Sequence, residues 1–328
     1  MKYRLLGKTG FNISELSLGT WQVGGRWGTG FNRNLANKIL HTAIDEGVNF
    51  IDTADVYESG ESERAVGAVL RETNERIYVA TKCGRQISPH TNEGYSPLVL
   101  RTYVEDSLKR LNTDCIDLIQ LHCPPTEVYY RPEIFGEFEK LKEEGKILNL
   151  GVSVEKIEEG IKALEYDNVT TIQIIYNIFR QRAHERLFQL AAIRNVGIIV
   201  RVPLASGLLT GKFNKDTNFD AGDHRYFNRS GEAFDVGETF SGVPFHIGLQ
   251  AIEELQSAIS SDYTLLEVAL KWILRKNEVT TVIPGASSHE QVSANIAASE
   301  KPELSKRHLY EIERIYDTHV RAYVHQQW

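Results

Sequence analysis

The chain has 328 residues, of which 41% are hydrophobic and 25% are charged, and its formal net charge at pH 7 is -7. This acidic balance, without any long basic run, argues against a nucleic-acid partner. The N-terminus lacks the sustained apolar segment of a signal peptide and later apolar stretches are interrupted by charges, so we expect a cytoplasmic protein that does not enter a membrane.

The chain begins with a predicted β-hairpin and continues as a repeat of strands and helices. Residues 1–14 alternate apolar and polar side chains around Gly7 and Gly10, which is typical of a hairpin, and we expect it to cap one end of a barrel. Apolar runs typical of strands recur at residues 16–19, 50–52, 77–82, 115–121, 147–152, 171–176, 197–201 and 280–284. Helical periodicity is found between them, at residues 34–46, 63–71, 98–111, 134–144, 157–166, 186–195 and 265–276.

Eight strands joined by helices define the predicted fold class. Alternating strands and helices indicate an α/β protein with a parallel sheet, and eight such units close into a (β/α)8 TIM barrel. Because no Gly/Ser/Pro-rich linker divides the chain, we predict one domain over residues 1–328. Further helices are predicted near residues 245–260 and, as a C-terminal addition to the barrel, at residues 305–318.

The interval at residues 214–242 breaks this repeat. It is rich in Asp, Gly, Asn and Phe and has no clear periodicity. Connections of this length are uncommon in compact domains and are usually lids or disordered inserts. The sequence leaves both interpretations open.

Polar side chains occur at the ends of three successive predicted strands. Asp52 ends the second strand, Lys82 the third and His122 the fourth, and Tyr57 lies on the loop after the second strand. Each of them alone is more often a structural residue than a catalytic one. Because the active site of an α/β barrel lies at the carboxyl ends of the strands, we expect the four side chains to share one opening.

These four residue types suit proton transfer to a carbonyl oxygen. A phenol has a pKa of about 10 in water, and we expect the Lys82 ammonium to lower the pKa of Tyr57 while Asp52 holds the ammonium in place. Tyr57 is then the proton donor, and a neutral His122 orients the carbonyl oxygen. None of the four side chains can deliver a hydride, so the reaction requires a cofactor.

A metal site is not predicted. Several His or acidic ligands would be needed at this opening, and only His122 is found there. Cys83, Cys115 and Cys123 are too few and too irregularly spaced for a cysteine-based zinc site or a disulfide framework.

A series of short motifs follows in order along the chain. They cover residues 49–57, 60–63, 80–82, 108–111, 114–122, 145–146, 151–153, 173, 176–177, 203–212, 283–286, 291 and 295. With these motifs the chain resembles the aldo-keto reductases over residues 4–298. Within that family it is most similar to the bacterial and plant branch related to potassium-channel β subunits.

The resemblance implies a catalytic tetrad of Asp52, Tyr57, Lys82 and His122, with a nicotinamide dinucleotide lying across the barrel mouth. The cofactor contacts that it implies are Gly19, Thr20, Trp21, Asp52, Ser153, Gln173, Arg201, Pro203, Leu204, Ala205, Ser206, Gly207, Leu208, Lys212, Pro284, Gly285, Ala286, Ser287, Ser288, Gln291 and Asn295. In the family, the positions of Ser153 and Gln173 hold the nicotinamide carboxamide. Residues 204–208 match the pyrophosphate-binding loop, and Gln291 and Asn295 match the adenine contacts.

Three departures from the family pattern concern the cofactor. Val154 replaces the usual Asn, which removes one hydrogen bond to the carboxamide, and Arg201 replaces an aromatic residue that stacks on the nicotinamide. Ser287 and Ser288 replace the Arg or Lys that meets the 2'-phosphate of NADPH. We therefore expect NADP(H) to be favoured only modestly, with NAD(H) also accepted, unless Lys212 or His289 supplies the missing charge.

We predict an NAD(P)H-dependent oxidoreductase that reduces an aldehyde or ketone to an alcohol. Two alternatives stay open: a regulatory or sensing subunit that binds the cofactor with marginal turnover, and a Schiff-base lyase that uses Lys82 as nucleophile. Candidates for the wall of the substrate pocket are Trp21, Trp27, Tyr129 and Tyr130. The sequence gives neither the identity of the small carbonyl substrate nor the choice between monomer and homo-oligomer.

Overall fold

An eight-stranded parallel sheet is the central element of the computed structural model, which describes residues 1–25, 30–259 and 263–328. The strands are β1 (Tyr3–Leu5), β2 (Asn12–Ser14), β3 (Leu18–Gly19), β4 (Phe50–Asp52), β5 (Tyr78–Cys83), β6 (Ile116–His122), β7 (Ile147–Ser153), β8 (Val169–Ile175), β9 (Gly197–Arg201) and β10 (Val279–Val282). The helices are α1 (Arg33–Asp45), α2 (Glu61–Leu70), α3 (Pro97–Leu111), α4 (Pro132–Glu143), α5 (Ile157–Ala163), α6 (Leu187–Ile193), α7 (His224–Phe227), α8 (Phe245–Ala258), α9 (Leu265–Leu274), α10 (His289–Ser299), α11 (Lys306–Ile315) and α12 (Arg321–Val324). The predicted alternation of strands and helices is confirmed.

The sheet curls and closes on itself. Strands β3 to β10 pair in sequence order, each parallel to its neighbours. Closure comes from backbone hydrogen bonds at the ends of β3 and β10: Ser17 N donates to Val282 O at 2.9 Å and Gly19 N to Pro284 O at 3.1 Å. A Cβ on Gly19 would lie 2.8 Å from the oxygen of Ile283, so only glycine permits this approach. The predicted (β/α)8 barrel is therefore confirmed.

The N-terminal hairpin covers the amino end of the barrel. Strands β1 and β2 pair antiparallel. Leu6 and Phe11 of the connecting segment and Ile13 of β2 pack with the barrel residues Phe50, Leu118 and Ile199 in one buried cluster. Arg4 donates hydrogen bonds to the main-chain oxygens of Leu274, Lys276 and Val279, between the end of α9 and the start of β10. The predicted cap is thus confirmed, and burial of the apolar face provides the reason for it.

Helix ends follow local capping chemistry. Ser96 accepts a hydrogen bond from Val99 N at the start of α3, where Pro97 occupies the first turn, and Asn112 ends the helix in a left-handed conformation. The predicted C-terminal helix is interrupted, because α11 ends at Ile315 and a π-helical turn leads into α12. None of the helices in the part of the chain that the structure describes has both the length and the apolar character needed to cross a bilayer.

The interval at residues 214–242 folds as a series of short turns. It contains α7 and two 3-10 turns, Val236–Glu238 and Phe240–Gly242. The indole of Trp328 donates a hydrogen bond to Asp235 Oδ1 at 2.9 Å and lies against Gly237 and Gly242. Turns of three or four residues produce no periodic pattern, which is why the sequence did not predict them.

Candidate active site

Three neighbouring strands bring polar side chains to the carboxyl end of the barrel. Asp52 ends β4, Lys82 is the next-to-last residue of β5, and His122 ends β6. Tyr57 begins a 3-10 turn that follows β4 and leads into α2. The structure therefore brings the four predicted residues to one barrel mouth.

Lys82 links Asp52 and Tyr57. Its Nζ lies 2.5 Å from Asp52 Oδ1, 2.8 Å from Thr53 O and 3.2 Å from Tyr57 Oη. An ammonium has three N–H donors, so these partners use all of them. Burial disfavours the charge, but the Asp52 carboxylate and then Tyr57 outweigh it and raise the pKa of Lys82. Lys82 is therefore a fixed cation.

Two amide side chains hold the other oxygen of Asp52. Gln120 Nε2 donates to Asp52 Oδ2 at 3.0 Å, and Gln173 Nε2 donates to the same oxygen at 2.7 Å. Gln173 was predicted to contact the cofactor, whereas Gln120 was not singled out. The signal for Gln120 was its position two residues before His122, because side chains two apart on a strand point to the same face.

The surroundings of Tyr57 raise its pKa. Burial has the largest effect, and the charge of Lys82 lowers the pKa but does not reverse the shift. The expected lowering of the Tyr57 pKa is therefore wrong. The expectation included the Lys82 ammonium but not the cost of placing a phenolate in a partly buried site. Tyr57 keeps its proton through the neutral range, as a proton donor must. Its ring stacks on Trp21 and meets His122 edge-on, with centroids 6.2 and 6.0 Å away.

His122 is held neutral. Burial lowers its pKa well below the ordinary value, and the positive charges of Lys82, Arg85 and Arg201 add to this. Its Nδ1 is buried and has no hydrogen-bond partner among the residues that the structure describes. A neutral imidazole at this position is suited to hydrogen-bond a carbonyl oxygen.

Arg201 ends β9 and crosses the mouth toward β6 and β7. Its guanidinium pairs with Glu238 and donates to Val154 O at 3.0 Å, and it lies 3.6 Å from Cys123 Sγ. Glu238 comes from the interval at residues 214–242, so this ion pair joins that interval to the barrel. No sequence pattern indicated it, because Glu238 has no place in a periodic segment.

A group of possible metal ligands surrounds the same guanidinium. One ligand atom from each of Cys123, Glu155 and Glu238 lies within 4.8 Å of the others. Arg201 contacts both Cys123 and Glu238, so a cation already lies against two of the three.

The segment that matches the pyrophosphate-binding loop follows β9 as a tight turn at Ala205–Thr210. Ala205, Ser206 and Gly207 all have positive φ, at 47°, 54° and 96°. Ser206 Oγ donates to Glu238 O at 3.0 Å and accepts from Phe240 N at 3.0 Å. The interval at residues 214–242 therefore packs on this turn.

The other predicted cofactor residues lie mainly on loops after strand ends. Gly19, Thr20 and Trp21 end or follow β3, Ser153 ends β7, Pro203 and Leu204 follow β9, and Pro284, Gly285 and Ala286 follow β10. Ser288 caps α10 by accepting from Gln291 N at 3.4 Å, and Gln291 Oε1 accepts from Ser287 N at 2.9 Å. Asn295 is buried on α10, and Lys212 is exposed beyond the turn.

The four aromatic candidates for a pocket wall separate in space. Trp21 lies beside Tyr57 and contacts His224, with ring centroids 5.1 Å apart. Tyr129 is fully buried, whereas Tyr130 is 64% exposed and therefore faces solvent. Trp27 lies outside the described residues.

Known proteins are similar to this chain over most of its length. Residues 15–317 match the model of the Aldo/keto reductase family. The NADH-specific methylglyoxal reductase of Escherichia coli (strain K12) is 32% identical, covering 91% of this chain and 93% of that protein. A probable voltage-gated potassium channel subunit beta of Arabidopsis thaliana is 29% identical, over 92% of this chain and 91% of that protein.

A solved structure is similar over nearly the whole length. The holo form of aldo-keto reductase AKR11C1 from Bacillus halodurans superposes with a TM-score of 0.79 at 29% identity, covering 100% of this chain and 99% of that chain. The match to the family model extends over most of the 328 residues. The chain therefore belongs to the aldo/keto reductase family of oxidoreductases.

Proposed function

We propose that the protein reduces an aldehyde or ketone with a nicotinamide dinucleotide as hydride donor and Tyr57 as proton donor. The observation that carries this proposal is the position of Lys82 Nζ, 2.5 Å from Asp52 Oδ1 and 3.2 Å from Tyr57 Oη. Such a phenol can give up its proton beside a cation that stabilises the phenolate left behind.

The chain's own residues divide the work as follows. Tyr57 donates its proton to the carbonyl oxygen, and Lys82 stabilises the resulting phenolate. Asp52, held by Gln120 and Gln173, keeps the ammonium charged and in place. Neutral His122 hydrogen-bonds the carbonyl oxygen and sets its orientation. When bound, the dinucleotide supplies the hydride.

The donor set near β9 and β10 suits an anionic dinucleotide. Consecutive residues with positive φ at Ala205, Ser206 and Gly207 create a backbone concavity of the kind that binds phosphate oxygens. Helix α10 begins at His289, and a helix N-terminus favours negative charge. These two features support a pyrophosphate at the turn and the rest of the cofactor toward α10.

We further propose that NADP(H) is favoured only modestly and that NAD(H) is accepted. Ser287 and Ser288 carry no charge for a 2'-phosphate, and His289 is paired with Glu290 at 2.8 Å. The Escherichia coli relative named above is specific for NADH, which supports a binding site that does not require the phosphate. Comparing kcat/KM with NADPH and NADH tests the proposal, and a preference for NADPH above about a hundredfold, or 2.7 kcal/mol, contradicts it.

The Tyr57→Phe variant tests the proton donor. We expect turnover to fall by about 10³-fold or more, which is the scale of losing a general acid, while the Kd of the cofactor changes little. Tyr310→Phe is the matched control, because that tyrosine is 63% exposed and lies on α11. Turnover that survives in Tyr57→Phe rejects Tyr57 as the acid.

One assay separates the remaining alternatives. A panel of small carbonyls, starting with methylglyoxal because a relative acts on it, is followed by consumption of NADPH or NADH. Slow consumption with every carbonyl favours a regulatory subunit, a role supported by the similarity to the plant channel subunit. Borohydride trapping of a carbonyl on Lys82 tests the lyase alternative, which is disfavoured because a charged ammonium is not nucleophilic.

A further inference from the structure

A buried cation lies beside the residues that flank the catalytic groups. Arg201 is 8% exposed, and its guanidinium contacts Val154 O and Cys123 Sγ. Val154 follows Ser153 at the end of β7, and Cys123 follows His122 at the end of β6. The positive charge of Arg201 also acts on the His122 imidazole and lowers its pKa. A ring that delivers a hydride to a carbonyl held by Tyr57 and His122 therefore lies near this guanidinium.

Glu238 supplies the opposite charge, and the chain holds it in place. Its main-chain oxygen accepts a hydrogen bond from Ser206 Oγ at 3.0 Å, and its main-chain N donates to Asp235 O at 3.0 Å. Asp235 is itself fixed by the Trp328 indole at 2.9 Å. The Glu238 side chain is 14% exposed. Glu238 is therefore a positioned carboxylate and not a mobile surface acid.

The proposed reaction changes the charge beside this pair. A hydride leaves the nicotinamide ring with its electron pair and adds to the carbonyl carbon, while Tyr57 gives its proton to the carbonyl oxygen. The substrate is reduced, and the ring is oxidised and becomes positively charged. Two like charges at short range in a site with little water repel each other strongly.

We propose that Glu238, by neutralising Arg201, sets the relative affinity of the protein for the oxidised and the reduced nicotinamide cofactor. This inference rests on the proposed function, because it requires the nicotinamide ring at the barrel mouth. With Glu238 ionised, the pair is neutral and the oxidised ring is tolerated. Without its charge, Arg201 opposes the oxidised ring and leaves the reduced ring nearly unaffected.

The test is equilibrium binding of NADP⁺ and NADPH to the Glu238→Gln variant, measured by calorimetry. We expect the ratio of the Kd for NADP⁺ to the Kd for NADPH to rise at least about tenfold, or 1.4 kcal/mol, relative to the unmodified protein. Glu232→Gln is the matched control, since Glu232 is an exposed acid of the same interval whose carboxylate bonds the Ser230 backbone. Its ratio should stay unchanged.

A double variant separates charge from structure. Replacing both Arg201 and Glu238 by Gln removes the cation as well, so the ratio should return toward that of the unmodified protein. An unchanged ratio in Glu238→Gln, an equal loss of affinity for both forms, or a ratio that stays high in the double variant overturns the inference. Failure of the unmodified protein to bind NADP(H) and also NAD(H) instead overturns the proposed function.

Discussion

Two ion pairs lie at the barrel mouth, and they are built differently. Lys82 and Asp52 lie on adjacent strands, with side chains 1% and 2% exposed, and two amides complete the shell of Asp52. Arg201 and Glu238 join a strand to an irregular interval, with side chains 10% and 14% exposed, and Arg201 Nε has no partner among the described residues. The Lys82–Asp52 pair, fixed by two strands, suits a reaction that requires one geometry. The Arg201–Glu238 pair, in which one partner lies on a turn, suits adjustment of the local charge.

Breaking the Lys82–Asp52 pair should have the largest effect on activity. In Lys82→Met the apolar stem remains, but Tyr57 loses the cation that stabilises its phenolate. We expect kcat/KM to fall by about 10³-fold, the scale of losing an electrostatic catalytic contact. Steady-state kinetics measures this, with Lys109→Met as control because Lys109 is an exposed lysine paired with Asp106. Retention of more than about a tenth of the activity contradicts the role given to Lys82.

Asp55 shows what a buried carboxylate does without a cation of its own. It is 2% exposed, and neither of its oxygens makes a hydrogen bond of normal geometry to a described residue. Burial raises its pKa to about 7, nearby Glu63 adds to this, and Arg110 opposes it. Because the folded protein holds this proton more tightly than the unfolded chain does, folding stability falls as pH rises from about 4 to 7.

Asp55→Asn should remove that dependence. We expect the variant to exceed the unmodified protein in free energy of unfolding by about 2–4 kcal/mol at pH 8 and by less at pH 5, since one pKa unit corresponds to about 1.4 kcal/mol. Urea unfolding at the two pH values measures the difference. An advantage that does not grow with pH contradicts the assignment of a raised pKa to Asp55.

A cation introduced on the loop before α10 extends the comparison of the two ion pairs to a single charge. Ser287→Arg places a guanidinium ahead of α10, where the 2'-phosphate of the proposed cofactor would lie. We expect the preference for NADPH over NADH to rise about tenfold, or 1.4 kcal/mol, because charge-assisted hydrogen bonds carry phosphate recognition. Ser287→Gln keeps a long polar side chain without charge and serves as control. Equal effects of the two substitutions contradict the electrostatic explanation.

The smallest expected effect concerns Glu155, the neighbour of the second pair. Burial raises its pKa to about 7, Asp235 and Glu238 add to this, and Arg201 and Arg85 oppose it. Above that pH the carboxylate is ionised and favours a positive ring, so the affinity for NADP⁺ should increase a few-fold from pH 6 to 8. Calorimetry at both pH values should show a flatter profile in Glu155→Gln, and an unchanged profile excludes Glu155 as the cause.

The residues that the sequence predicted well are those on regular elements. Asp52, Lys82 and His122 each end an apolar run, so the barrel pattern alone placed them at one mouth. Glu238 could not be predicted, because its position depends on turns that leave no periodic signal. The direction of the Tyr57 pKa shift failed for another reason, since the burial of a side chain is known only once the whole fold is known.

The hairpin at the amino end determines how molecules reach the site. Leu6, Phe11 and Ile13 fill that end, so the barrel is closed there and its site is reached from the carboxyl end. Every molecule that reaches Tyr57 must then enter and leave over the same rim. The loops of that rim can change to admit new compounds while the amino end of the barrel stays the same.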